Sequence, residues 1–297
     1  MTGSGQAVAV AVVGSANLDL VVTADRRPEP GETLIGDSYT EAPGGKGANQ
    51  ALAAARVAPT HLIGHPGDDA AGRAVTRHLA GRSVGLSWFR PVSAPTGRAL
   101  VFVTADAENS ITVLPGANRE LDAAHVAAGL TALRPGVVLA QCEIPMPAVA
   151  AAYEWCARNG ARFVLNPSPL DAVPPEIVGG ADLLVLNVGE ARALAGLPSG
   201  RGHPAAASDA PTLVRALLAR TGRVVLTAGS DGAYIGEDGV VTHIPGKRVR
   251  VIDTTGAGDE FAGVLAGQVA HSQPLAAAAA AANDAAARIA ALPRTAR

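Results

Sequence analysis

Residues 8–13 form an unbroken apolar run that stops at Gly14. A run with no polar face predicts a strand buried on both sides and entering a tight turn. Residues 17–23 partly alternate, which predicts a strand with one exposed face. Pro28, Pro30 and Gly31 then break the chain, and 34–39 predicts another short strand. Two alternating segments, 96–104 and 110–114, flank the polar stretch 105–109 and predict a hairpin. These pieces are too few to enclose a thick core. They predict a small β-lid from about 16–43 and 96–115.

The remaining chain has another rhythm. Strand patterns at 61–64, 137–141, 162–165, 182–186 and 223–227 alternate with helical patterns at 47–57, 69–80, 122–133, 146–159, 189–196 and 210–221. That order predicts βαβ units, and so an α/β fold with a mainly parallel central sheet flanked by helices. Ligands in such sheets bind at the carboxyl ends of the strands. The Gly/Pro/Ala/Ser-rich stretch 198–211 predicts a surface loop, and the Ala-rich run 275–282 a helix in water. There is no internal repeat, and 1–297 is expected to be one domain.

Composition narrows the class. Apolar residues make up 48% and charged residues 17%, which suits a globular enzyme, and a net charge of −2 predicts neither nucleic-acid nor membrane attraction. No secretory leader is read at the start, and Cys142 and Cys156 fit no zinc or CxxC spacing. A cytoplasmic protein is expected. Arginine outnumbers lysine 22 to 2, so Lys46, inside a glycine cluster, stands out.

The chemistry concentrates in two motifs. Asp-Thr-Thr-Gly-Ala-Gly-Asp at 253–259 runs into an apolar helical stretch. The amides of Gly256, Ala257 and Gly258 therefore fall at a helix start, where unpaired N–H groups and the helix dipole favour an anion. Asp259 sits at the same point. An acid beside a phosphate cradle should repel its ligand unless it serves as the base that takes a hydroxyl proton during phosphoryl transfer. The second motif, Pro-Gly-Gly-Lys-Gly-Ala-Asn-Gln at 43–50, offers glycine amides, the mobile cation of Lys46 and the donor and acceptor of Asn49. It lacks the spacing of a P-loop. A plain strand-to-helix turn also fits it.

Weaker signals surround these. Asn17 and Asp19 share one strand face and suit paired sugar hydroxyls, or an Asx turn. Glu143 follows a buried strand and points into the crevice if the sheet is parallel. Asn187 and Glu190 share a helix face, where they suit a hydrated metal ion or a simple cap. Thr227, Gly229, Ser230 and Gly232 form a glycine turn suited to nucleotide phosphates.

Both motifs, in this order and spacing, resemble the signatures of the ribokinase-like (phosphofructokinase B type) carbohydrate kinases. The Pro-Gly-Glu-Thr segment at 30–33 and the Asn-Pro-x-Pro segment at 166–169 fit the same pattern. The resemblance implies a β-lid, a homodimer formed through the lids, and ATP with Mg2+ as phosphoryl donor. It implies sugar contacts from Asn17, Asp19, Gly45, Lys46, Asn49 and Glu143. Asp259 becomes the base on a pentose primary hydroxyl, that of D-ribose. Gly256, Ala257 and Gly258 become the anion hole. Asn187, Glu190, Thr227, Gly229, Ser230, Gly232 and Asn283 become contacts of the nucleotide and its metal. A K+ site would use Asp253 and Thr255, but its C-terminal loop departs from the pattern: the family's glycine falls near Arg294, and its serine falls past Arg297.

Competing readings are a kinase of the same family for a nucleoside, a ketohexose or a sugar phosphate, and a non-catalytic sugar-binding homologue. A sugar phosphate would need a cationic clamp, for which Arg98 is the candidate, and a nucleoside would want more aromatic surface than 3%. A dinucleotide oxidoreductase fits worse, because Phe261 stands where the third fingerprint glycine belongs.

Overall fold

The computed structural model of the chain describes residues 9–104, 109–170, 173–197 and 207–293. In chain order its elements are β1 (Val10–Val13), β2 (Asn17–Ala24), β3 (Ser38–Gly44), α1 (Lys46–Ala55), β4 (Thr60–Gly64), α2 (Ala70–Ala80), β5 (Val84–Phe89), β6 (Arg98–Thr104), β7 (Asn109–Leu114) and α3 (Ala123–Leu133). They continue with β8 (Val137–Gln141), α4 (Met146–Asn159), β9 (Arg162–Asn166), α5 (Pro175–Gly180), β10 (Leu183–Asn187), α6 (Val188–Leu194) and α7 (Ala210–Leu218). The last are β11 (Arg223–Thr227), β12 (Gly232–Glu237), β13 (Val240–Pro245), α8 (Ala257–Ala270) and α9 (Leu275–Ala290).

Among the described residues the main sheet has nine strands in the order β13-β12-β11-β10-β9-β8-β1-β4-β5. Neighbours from β11 to β5 are parallel, and β12 and β13 close one edge antiparallel. β1 is interior to the sheet and fully buried. Val10 and Val12 enter the layer of α1, α2, α8 and α9, while Ala11 and Val13 enter the layer of α3 to α7. Alternate side chains go to opposite faces and both faces are covered, hence a run with no polar position.

The second sheet has the order β3-β2-β6-β7. β6 and β7 form the expected antiparallel hairpin, while β2 and β6 run parallel; residues 105–108 of the expected turn lie outside the described residues. β3 differs from expectation. The strand lies at 38–44, not 34–39, because β2 sets its register, from Asn17 opposite Gly44 to Thr23 opposite Ser38. Its first four residues are exposed, so no buried face marked it in the sequence.

The helices fall where the periodicity puts them, and the Ala-rich run is the first half of α9. In 198–211, residues 198–206 lie outside the described residues, and 207–209 form a 3-10 turn entering α7. Strands β5, β12 and β13 and the short α5 were not expected. The β12–β13 turn did carry a signal: Asp238-Gly239 has positive φ at both positions, as a two-residue hairpin turn requires. No helix among the described residues is long and apolar enough to cross a membrane.

Candidate active site

Strand order reverses at β1, with β4 and β5 on one side and β8 to β11 on the other. A crevice opens at such a switch point, outside the carboxyl ends of the two central strands. Ser15 follows β1 there and Glu143 follows β8. The Ser15 hydroxyl donates to Glu143 Oε2 at 2.6 Å, and the Lys46 N–H donates to the same oxygen at 3.0 Å. Burial pushes the Glu143 carboxyl above the usual carboxylate range, against the Ser15 and Lys46 hydrogen bonds and the Lys46 charge; the charge of Asp259 adds to the rise.

The glycine-lysine motif is therefore the turn that docks α1 onto this crevice. Gly45 takes φ 89° and starts α1 without a side-chain cap. Its glycine neighbours permit close approach: a Cβ on Gly47 would stand 2.5 Å from the Ser15 nitrogen.

The acidic motif arrives from the opposite side. Gly256, with φ 76°, caps α8, and the first helical bond runs from the Glu260 N–H to the Gly256 carbonyl at 2.8 Å. The amides of Gly258 and Asp259 stand ahead of it. The expected trio of anion-hole amides needs one correction. The Ala257 N–H donates to the Thr254 carbonyl at 3.0 Å, because the turn entering the helix closes on itself there.

Asp259 is only 8% exposed. Asn49 Nδ2 donates to its Oδ2 and Gln50 Nε2 to its Oδ1, each at 3.0 Å. The two helices supplying these groups touch almost backbone to backbone. A Cβ on Gly263 would stand 2.5 Å from the Ala53 Cβ, and one on Gly267 would stand 2.7 Å from the Val57 Cβ. The next acid, Glu260, is buried and pairs with Arg56, which caps the end of α1.

Lys46, Asn187, Glu190, Thr227, Gly258 and Asp259 line one half-open cleft of about 120 Å³. Asn187 and Glu190 form a reciprocal capping box at the start of α6, with bonds of 2.8 and 2.9 Å. The capping alternative holds, and both capping residues also line the cleft. The nucleotide turn is more mixed. Gly229 and Ser230 form a short exposed 3-10 turn. Gly232 is required by its φ of 100° and by the β13 backbone pressed against it. Asn283 donates to the Ile244 carbonyl at 3.1 Å, which ties α9 to β13. None of these four lines the cleft. The Thr255 N–H donates to Asp253 Oδ1 at 2.8 Å; positions 294 and 297 lie outside the described residues.

Asn17 and Asp19 lie at the start of β2, beside the first motif. A Cβ on Gly44 would stand 2.7 Å from the Asp19 carboxyl carbon. Asn118 holds Asn17 from behind: its Nδ2 donates to Asn17 Oδ1 at 2.8 Å, and its Oδ1 accepts from the Ala16 N–H at 2.9 Å. Sequence reasoning missed Ser15, Gln50, Asn118, Gln141 and Asn166 as members of the site. Gln50 and Asn166 stood inside quoted motifs, but nothing local says where a buried amide will point.

An acid, a lysine turn and an open helix start sharing one cleft at the strand ends, beside a small second sheet, define the layout of a carbohydrate kinase. The profile of the pfkB family carbohydrate kinases matches residues 8–295, and the chain belongs to that family. It is similar to the ribokinase of Bacillus subtilis (strain 168), 34% identical over 279 residues that make up 93% of this chain and 91% of the relative. The ribokinase of Staphylococcus aureus (strain COL) is 33% identical over 268 residues, 89% of this chain and 87% of the relative. The structure of Arabidopsis thaliana ribokinase complexed with ribose and ATP superposes with a TM-score of 0.84 at 29% identity, covering 96% of this chain and 93% of that one.

Proposed function

We propose that the protein transfers the γ-phosphoryl group of ATP to the primary hydroxyl of a pentose, converting D-ribose to ribose 5-phosphate. The observation that carries this reading is Asp259, held by two amides at the start of α8 in the same cleft as Lys46. A new O–P bond forms as the bond to the β-phosphate oxygen breaks. The hydroxyl proton passes to Asp259, and ADP leaves. A carboxylate is a far weaker base than an alkoxide, so it takes the proton late, once the new bond has developed. The loose transition state leaves alignment and charge stabilisation as the main tasks. The amides of Gly256 and Gly258 serve the moving group and Lys46 its charge, while the Ala257 amide is already engaged.

Asn17, Asp19, Gly45, Lys46, Asn49 and Glu143 bind the sugar in this reading. Thr227, Gly229, Ser230, Gly232 and Asn283 serve the nucleotide. Mg2+ suits the donor set: it is usually held by one or two carboxylates plus substrate phosphates, and Glu190, Asn187 and the cleft offer such hard oxygens without a closed cage. It would neutralise negative charge on the phosphates during transfer. For K+ the candidates remain Asp253 and Thr255, and no step depends on it. Arg98, the lid cation a sugar phosphate would need, pairs with Glu41 at 3.5 Å, which favours an uncharged sugar.

The chain acts as one unit, with the 16–43 and 96–115 segments closing over the sugar to exclude water. Ile35, Tyr39, Ile111, Val113 and Leu114 are exposed on or beside the small sheet, which supports a homodimer through the lids. A cytoplasmic location fits a demand for ATP and two free cysteines. The test is ADP release over a panel of D-ribose, 2-deoxyribose, fructose, fructose 6-phosphate and nucleosides, in sodium and in potassium, with the ester position read by phosphorus NMR. Release with D-ribose and a 5-phosphate product are expected. No pentose-dependent release in either salt refutes the reading.

A further inference from the structure

Behind Asp259 lies a chain of buried amides that no step so far has used. Gln141 Nε2, at the end of β8, donates to Gln50 Oε1 at 2.7 Å. Gln50 Nε2 donates both to Asp259 Oδ1 at 3.0 Å and to Asn166 Oδ1 at 2.9 Å. Asn166 Nδ2, at the end of β9, donates to the Val185 carbonyl of β10 at 2.8 Å. Gln50 and Gln141 are fully buried and Asn166 is 8% exposed. Groups of α1, β8, β9 and β10 are thus linked through Gln50 to one carboxylate oxygen.

The direction of every bond follows from one group. The Val185 carbonyl can only accept, so Asn166 must turn its NH2 towards it and its oxygen towards Gln50. Gln50 must then present its NH2, whose two hydrogens serve Asn166 and Asp259, and its oxygen is left for Gln141. Flipping Gln50 would place its oxygen against the Asp259 carboxylate and the Asn166 oxygen together. Gln141 Oε1, at the far end, is buried with no hydrogen-bond partner among the described residues. An orphaned buried acceptor is costly, which is more easily explained if the chain serves function than if it serves stability alone.

We infer that Gln50 is a positioning residue for the base, and that Gln141 and Asn166 fix its orientation. The neutral amide donors of Asn49 and Gln50 each take one oxygen of the carboxylate and so set its rotation. They leave it free to take a proton, where a fixed cation would hold the negative charge too strongly. Asn49 performs the matching task on the other oxygen. The chain ties the acid to three adjacent strands of the main sheet, through side chains of β8 and β9 and a backbone carbonyl of β10. Among the described residues, the charged groups near Asp259 include Lys46 and Glu190 in the same cleft, Glu143 across the crevice, and the Arg56–Glu260 pair on the adjoining residue.

The inference rests on the kinase reading, and the experiment separates the two. Sugar-dependent ADP release by the unaltered protein is measured first; its absence with every sugar sinks both. Given activity, Gln50→Met should lower kcat about ten- to hundredfold, with the sugar KM little changed, because a hydrogen bond to a charged group is lost. The acid limb of its pH profile should also move to higher pH. Gln50→Glu should move that limb further in the same direction, since two adjacent acids then share a proton. Gln141→Met, which leaves the bond to Asp259 but frees the far end of Gln50, should shift the limb in the same direction by less. A purely structural role would lower the urea midpoint without moving the acid limb. Unchanged kcat and acid limb in Gln50→Met, or in Gln141→Met should the first not fold, overturn the inference while leaving the kinase reading intact.

Discussion

The position of Asp259 depends on a helix contact one turn away, and Gly263→Ala tests that dependence. The added methyl would stand 2.5 Å from the Ala53 Cβ and closer still to the Gln50 carbonyl oxygen, where ordinary contact begins at 3.4 Å. One partner is backbone, so α8 must move off α1 by about 1 Å, and overpacking of this kind costs about 1–3 kcal/mol. Alanine returns about 1 kcal/mol of helix propensity, so the net loss of stability is about 0–2 kcal/mol. Activity should suffer far more. Asn49 and Gln50 ride on α1 and Asp259 on α8, and a misplacement of about 1 Å at a reacting centre can cost about 100-fold. The expected result is a nearly normal urea midpoint with turnover down about two decades in coupled ADP release. Gly222→Ala, where an added Cβ meets nothing within 4 Å, is the control and should be neutral in both assays. If Gly263→Ala turns over within about twofold of the unaltered protein, the close helix contact does not set the geometry of the base.

Three further outcomes follow from the same geometry. Asp259→Asn should lower kcat by about two to four decades while sugar binding by calorimetry survives, and near-normal turnover removes Asp259 from the base role. Glu143 has a folded pKa above its unfolded one, so the native state holds more protons in that window; its contribution to stability falls as pH rises from the ordinary carboxylate range through the raised value. Glu143→Gln should abolish that decline in urea midpoints taken across acidic to neutral pH, and an identical slope in both proteins counts against it. The proposed homodimer predicts that the unaltered protein sediments as a dimer and that Ile111→Lys, on the exposed part of β7, sediments as a monomer with the same circular dichroism spectrum. A dimer of unchanged affinity would place the interface elsewhere.

Much of the site was legible because its signals are local. Gly-Ala-Gly-Asp before an apolar helical stretch marks a helix start whose leading amides suit an anion, whatever the rest of the chain does. A lone lysine among glycines in an arginine-rich chain is similarly visible. The amide chain was not. Gln50 and Asp259 are 209 residues apart, and Gln50 and Asn166 are 116 apart. An amide side chain donates and accepts equally, so its partner and polarity exist only once the strands are assembled. Ser15 and Asn118 were missed for the same reason.

The sequence by itself determined the architecture and the chemistry: which runs are buried on two faces, where two helices begin, and that an acid and a lysine stand at those starts. These follow from periodicity and backbone geometry within a few residues. Tertiary structure decided how those groups face one another. It gave β3 its register from a partner strand, took the Ala257 amide for a turn, drew Asn187 and Glu190 into a cap, and fixed Gln50 through a carbonyl two strands away. Hydrogen bonds across the fold compete for the same donors and acceptors, and only the packed backbone settles which pairs form.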